Sequence, residues 1–277
     1  MKKIVILLCL AAYLAGCGGS DSVEELKSDG LKAFTDGKYV KARESLLKAL
    51  EKSPSDKDIL FFTGMSYKRE FYYDSALFYL KRADLLFPKD REINKEIYEV
   101  ALAVGEWEYA IRAIMVLVDT GDRLEDYYYQ LADLYASTDY PLNVFFYLRR
   151  AYDRGMDDPN RFLQFANAAA IVDSMDLAFQ VIDSAISRFG ENPQFLTSKA
   201  KFYAYREDYK TSEKMLRSML KEDTASAEVK FNLANVLSMQ DSKKKKKEAL
   251  ELYKEVKPRI QQYNIDSVIT ALEEELK

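Results

Sequence analysis

The chain repeats its own chemistry every 34 residues, and that period decides what it can fold into. The clearest copy runs from Lys57 to Pro88, with two apolar helical stretches on either side of Arg69–Tyr73 and small residues at Gly64, Ala76 and Ala83. Stepping by 34 from Gly64 gives Gly30, Ala132, Ala166, Ala200 and Ala234, with Tyr98 the misfit. The position twelve later gives Ala42, Ala76, Ala110 and Ala178, with Val144 and Ser212 as weaker members. Seven further on stand Ala49, Ala83, Ala151 and Ala185, enlarged to Leu117 and Met219 in two copies. Large apolar residues sit between them at Leu46, Leu80, Ile114, Leu148, Ile182 and Leu216. Two antiparallel helices approach closely only where side chains are small, and large side chains fill the space beside each crossing. One such pair cannot bury its own apolar face, so neighbouring pairs must stack.

Composition agrees. The 277 residues are 48% hydrophobic with only 10 Gly and 6 Pro, and no Asn-Gly hairpin signal or β-branched run argues for strands. The chain has no His, which removes the usual general base and the commonest metal ligand. Charges of both signs are interspersed around a formal net charge of −4, so duplex nucleic acid is not an expected partner.

The pattern Gly64, Tyr67, Tyr73, Ala76, Ala83 and Pro88, returning as Gly30, Gly37, Tyr39, Ala42, Ala49 and Pro54, resembles the tetratricopeptide repeat family. The frame holds without insertion from Val23 to about Ser226, and a seventh copy is stretched by three residues so that Ala249 takes the place of Lys246. The resemblance implies an all-α, right-handed superhelical solenoid of about seven helix pairs. The expected organisation is a signal peptide over 1–16, a lipidated tether over 17–22, the solenoid over 23–258 and a C-terminal capping helix over 259–277. The cap is expected to turn Val268, Ile269, Leu272 and Leu276 toward the last repeat.

The N-terminus reads as an address. Lys2 and Lys3 precede an apolar run from Ile4 to Gly16, too short to span a bilayer, that ends Leu14-Ala15-Gly16-Cys17. That spelling resembles a bacterial lipobox, in which Cys17 is lipidated and becomes the new N-terminus. Loss of Cys9 and blocking of Cys17 would leave no free thiol and no disulfide. Several acyl chains on one residue give stable anchoring where a single chain does not. By resemblance, Gly18 after the lipidated Cys favours the outer membrane of a bacterial cell envelope, on its periplasmic or surface face.

In the tetratricopeptide repeat family the first helix of each pair lines a concave groove. Carried onto this chain, that wall offers Lys27, Phe61, Met65, Lys68, Arg69, Lys95 and Glu99 early, Asp126, Tyr129, Asp133 and Asn167 in the middle, and Lys201, Tyr205, Phe231 and Asn235 late. A groove mixing aromatics, amides and charges suits an extended peptide or a partner helix, with Asn able to donate to and accept from a ligand backbone. The positions that chaperone-binding members use to clamp a terminal carboxylate hold Lys27, Leu31, Phe62, Glu92 and Glu96 here, and the two acids would repel it.

The leading expectation is therefore a membrane-anchored scaffold or adaptor lipoprotein that binds an envelope protein or peptide. Its plan is similar to that of repeat lipoproteins in barrel assembly, pilus assembly and hydrolase recruitment. The alternative is an envelope ligand-binding module for glycan or anionic lipid, using groove aromatics and the run Lys243–Lys247, which is expected to lie in an interhelical loop. No catalytic constellation, phosphate loop, cofactor motif or metal spacing is present, so neither an enzyme nor a cofactor is expected.

Overall fold

The computed structural model describes residues 21–120, 124–223, 226–260 and 264–277. The signal segment 1–16 and Cys17 lie outside them. The described residues form fifteen α-helices and no strand, in two compact units divided at Arg123 and Leu124.

The first unit holds three antiparallel helix pairs: α1 Val23–Thr35 with α2 Tyr39–Lys52, α3 Lys57–Arg69 with α4 Tyr73–Leu86, and α5 Arg91–Val104 with α6 Trp107–Thr120. Its core is the set of positions picked out by the period. Ala42, Leu46, Ala49, Ala76, Leu80, Ala83, Ala110 and Ile114 are fully buried, and Tyr98, the misfit, is half-buried. The two helical glycines show why the crossing must be small. A Cβ added at Gly30 would stand 2.6 Å from Leu46 Cγ, and one at Gly64 would stand 2.9 Å from Leu80 Cγ.

The second unit holds four further pairs and a terminal helix: α7 Leu124–Ser137 with α8 Pro141–Tyr152, α9 Pro159–Ile171 with α10 Met175–Phe189, α11 Pro193–Tyr205 with α12 Tyr209–Glu222, α13 Ala227–Ser238 with α14 Lys243–Val256, and α15 Ile265–Glu275. Pro141, Pro159 and Pro193 each open a helix at its first position, where a missing N–H costs nothing. Ser212 replaces Ala in the sixth copy and remains fully buried, because its hydroxyl donates to the Ala200 carbonyl at 2.7 Å. Ala249 is fully buried at the place where the stretched seventh copy puts it. Ile265, Ile269 and Leu272 of α15 join the core formed by Leu250, Tyr253 and Val256 of α14, whereas Val268 does not pack there and stays 39% exposed.

A second ladder runs at the same period. Ser22, Asp56, Asp90, Asp158, Asn192 and Ser226 are spaced by 34 or 68 residues, and each caps the first helix of a pair by accepting a hydrogen bond from the backbone N–H three residues on. In the first unit the caps also tie neighbouring pairs together. Lys27 donates to Asp56 at 3.0 Å and to Asp58 at 2.7 Å, and Lys57 pairs with Asp90.

The lysine run departs from expectation. Lys243–Lys247 is not a loop but the opening of α14, capped by Ser242. Cations there oppose the helix dipole, and two of them are neutralised by neighbouring helices: Lys245 donates to Glu213 of α12 at 2.6 Å and Lys246 pairs with Glu275 of α15. Glu213 also accepts from Gln240 at 3.0 Å and from Arg217 at 3.0 Å, and Arg217 reaches Glu248 of α14 at 2.8 and 2.9 Å. Burial alone would raise the Glu213 carboxyl, but Lys245, Gln240 and Arg217 outweigh it and hold its pKa at about 2.

Two outcomes follow. A Gly→Ala change in a helix interior ordinarily gains about 1 kcal/mol from propensity; at Gly30 the Leu46 contact sets an overpacking cost of about 1–3 kcal/mol against that gain, so Gly30→Ala should lower the urea midpoint. Glu213 is depressed in the folded state, so its stabilisation is complete above its unfolded pKa near 4.5 and is lost as pH falls toward about 2. Denaturant titrations from pH 7 to 2 should therefore show a stability slope across that window, and Glu213→Gln should be less stable at pH 7 with a shallower slope.

Candidate partner-binding groove

Near the C-terminal end of the second unit, α11, α12, α13 and the residues Arg259, Ile260, Asn264, Ile265 and Val268 line a groove of about 970 Å³, at the large end of ligand-site volumes. Lys201 and Tyr205 of α11 and Phe231 and Asn235 of α13 all line it. The four late wall residues expected from the repeat are thus brought to one site.

Their settings differ. Lys201 lies 3.7 Å from Glu228, both on the groove, so the wall carries both signs of charge. Asn235 Oδ1 accepts a 2.5 Å hydrogen bond from the Tyr253 hydroxyl, which fixes the amide. Burial pushes the Tyr253 phenol above its ordinary pKa, so it stays a donor, and its ring packs edge-on against Phe231 at 5.9 Å. Asn232, also on the groove, is buried and donates from Nδ2 to the Glu228 carbonyl at 3.0 Å. Leu216 and Val236 add apolar surface. The far wall is the part that the 34-residue frame does not reveal: Ile260, Asn264 and Val268 follow Pro258, beyond the last repeat. Val268, expected to cover the last repeat, faces this groove instead. The signal was its place on the helix, since Ile265, Ile269 and Leu272 already form a complete buried stripe without it.

The remaining wall residues sit in other surroundings. In the first unit Lys27 is held by Asp56 and Asp58, and Lys68 bridges Glu96 and Glu99. Burial would lower the Lys68 pKa, but those two carboxylates outweigh it and raise the pKa above the ordinary lysine value. Lys68 and Glu99 therefore meet as an ion pair between α3 and α5. Phe61 packs on Phe62 at 5.3 Å, while Arg69 and Lys95 are exposed. Met65 is buried, 7% exposed, and belongs to the core rather than to an open wall. In the second unit Asp133 accepts from Arg161 at 2.6 and 2.8 Å and from Gln164 at 3.1 Å, and the same guanidinium lies 4.9 Å from the Tyr129 ring centre. Asp126 is exposed and Asn167 half-buried. Among the described residues no group of His, Cys, Asp and Glu could hold a metal ion, and no helix is long and apolar enough to cross a membrane.

No protein-family model and no curated protein matches the chain in sequence. Solved structures do match in fold. The C-terminal part of a TPR repeat-containing protein from Cytophaga hutchinsonii is 15% identical with a TM-score of 0.53, over 90% of this chain and 98% of that one. YrrB, described as a TPR protein with an unusual peptide-binding site, is 17% identical with a TM-score of 0.51, over 68% of this chain and 96% of that one. A chain of the Naa15/Naa10 complex bound to HypK-THB is 13% identical with a TM-score of 0.64, over 87% of this chain but only 37% of that one. The fold is that of the tetratricopeptide repeat proteins.

Proposed function

We propose that this chain is a tetratricopeptide-type scaffold that receives a protein or peptide partner in the groove between α11, α13 and the residues Ile260, Asn264 and Val268. The observation that carries the reading is the groove itself. About 970 Å³ of open space is bounded by aliphatic and aromatic side chains, by the amides of Asn232, Asn235 and Asn264, and by opposite charges at Lys201 and Glu228. Apolar anchors with a few placed polar groups suit a peptide or an amphipathic helix better than a small charged ligand. The fold neighbours support a protein partner in general, since one is described as peptide-binding and another as part of a multiprotein complex.

The placement of this scaffold in the cell belongs to the same proposal. Lipidation of Cys17 anchors the chain in the bacterial envelope, most simply at the outer membrane, and the partner is an envelope protein. The motif Leu14-Ala15-Gly16-Cys17 and the short polar stretch that follows support it. For the glycan or anionic-lipid alternative, Lys245 and Lys246 are already paired with Glu213 and Glu275, which leaves the exposed Lys243, Lys244 and Lys247.

A photoreactive residue at Tyr205, exposed at the groove, should give an adduct with a single protein in growing cells, identified by mass spectrometry. Val268→Asp, on the opposite wall, should abolish that adduct without unfolding the chain. Equal adduct yield from the same probe at Lys214, on the outer face of α12, would remove the groove as the binding site. Separately, Cys17→Ala should move the protein from the membrane to the soluble fraction, and intact-mass analysis should find lipid on the wild-type Cys17 only.

A further inference from the structure

Two rows of side chains start at the groove and run across three consecutive pairs of the second unit. Ile171, Tyr205 and Met239 recur at the 34-residue period, at the C-terminal ends of α9, α11 and α13. They are 69%, 65% and 69% exposed, and Tyr205 lines the groove. The same position holds Thr35, Arg69, Ala103 and Ser137 in the other pairs. A single exposed hydrophobe is ordinary, but one at the same repeat position in each of three adjacent pairs forms an apolar row.

One turn earlier on the same helices stand Asn167, Lys201 and Asn235, again at the 34-residue period. They form a row of hydrogen-bond donors. Asn167 is half-buried, and its amide makes no hydrogen bond among the described residues. Asn235 Oδ1 is taken by the Tyr253 hydroxyl, while its Nδ2 donates to no group among the described residues. Lys201 has only the long 3.7 Å contact with Glu228. The other pairs offer no such donor. Leu31 is apolar, Met65 is buried, Glu99 is held by Lys68, and Asp133 is held by Arg161. The available donors and the exposed apolar residues therefore coincide on the same three helices.

Spacing and chemistry together say what fits these rows. α9 packs on α11 and α11 on α13, and packed helix axes lie about 8–10 Å apart. A segment laid across them meets an equivalent position at each such step. A polyproline II segment has three residues per turn and rises about 3.1 Å per residue, so one of its faces returns every ~9.3 Å. A β-strand returns to one face every ~6.8 Å and falls out of step at the first crossing. An α-helix returns after seven residues, about 10.5 Å, but its backbone groups are bonded within the helix and would leave Asn167 and Asn235 unanswered. A polyproline II backbone has no internal hydrogen bonds, so its carbonyls can accept from the donor row. Exposed aromatic rings such as Tyr205 are the surfaces on which such segments dock.

We propose that the partner crosses α9, α11 and α13 as a polyproline II segment. An apolar side chain at every third residue rests on Ile171, Tyr205 and Met239, and the backbone carbonyls accept from Asn167, Lys201 and Asn235. About seven residues, two turns, reach all three positions. This rests on the groove being the partner site, and it adds the partner's conformation, period and extent.

The test is fluorescence anisotropy on the purified full chain in non-ionic detergent, with three labelled probes of about twelve residues, four turns of polyproline II. One is (Leu-Pro-Pro)4, the second has the same composition with its leucines contiguous, and the third is an alanine-rich helix with leucines every seven residues. The period-three probe should bind about fivefold or more tightly than the other two. Ile171→Ser should weaken it about fivefold, and Asn167→Asp or Asn235→Asp by about the loss of one neutral hydrogen bond. Aspartate keeps the acceptor that Tyr253 uses, so Asn235→Asp removes the donor alone. Arg69→Ala, at the same repeat position in the first unit, should change nothing. No binding of the period-three probe, equal binding of the contiguous-leucine probe, or unchanged binding in Ile171→Ser overturns the proposal. Tighter binding of the helical probe overturns it in favour of a helical partner. In each of those cases the adduct at Tyr205, if still lost in Val268→Asp, upholds the groove as the partner site, so the two readings fail separately.

Discussion

Everything in the structure depends on how closely two helices of a pair can approach. At Gly30 and Gly64 there is no room for a methyl group, and Ala42, Ala76 and Ala178 are fully buried. Small residues at the crossing let Leu46, Leu80 and Ile182 seat against the neighbouring backbone with no exposed surface. Their burial is the main favourable term holding each pair, since apolar area removed from water contributes about 25 cal/mol per Å². Because pairs stack only on their neighbours, the same few positions are constrained in most copies, with Tyr98 the clearest departure, and this is why the period survives in the sequence.

The core was legible for that reason. A close crossing permits few residue types, so Ala42, Ala76, Ala110 and Ala249 announce themselves in the repeat spacing. The surface was less legible because many residue types satisfy it. Met65 falls at a wall position by spacing but is drawn into the core, since a flexible thioether fills whatever gap is nearest. Lys243–Lys247 reads as a loop by charge, yet Glu213 and Glu275, far off in sequence, make a helix start tolerable there. The wall formed by Ile260, Asn264 and Val268 lies past the last repeat, where the period no longer speaks. The caps at Ser22, Asp56 and Asp90 could have been read, because they keep the same spacing as the alanines.

Charge explains why one groove is open while other wall positions are occupied. In the first unit Lys27 and Lys68 reach across to acids on the next first-helix, and in the second unit Arg161 does the same with Asp133. Each such pair is partly exposed and contributes little by itself, but it fills the surface where a ligand would lie. At α11 and α13 the one equivalent pair, Lys201 with Glu228, is long at 3.7 Å, and Asn235 turns inward to Tyr253 instead of reaching to a neighbouring pair. The space between these helices is left open.

The double duty of Asp56 and Asp90 bears on how the first unit comes apart. Each carboxylate holds the start of its own helix and, through Lys27 or Lys57, the edge of the preceding pair. Protonating or replacing one of them therefore frays a helix end and loosens a seam in a single event. Local opening in this unit should thus involve two adjacent pairs at a time, and hydrogen exchange at the N-terminal turns of α3 and α5 should report the same opening free energy as the helices before them.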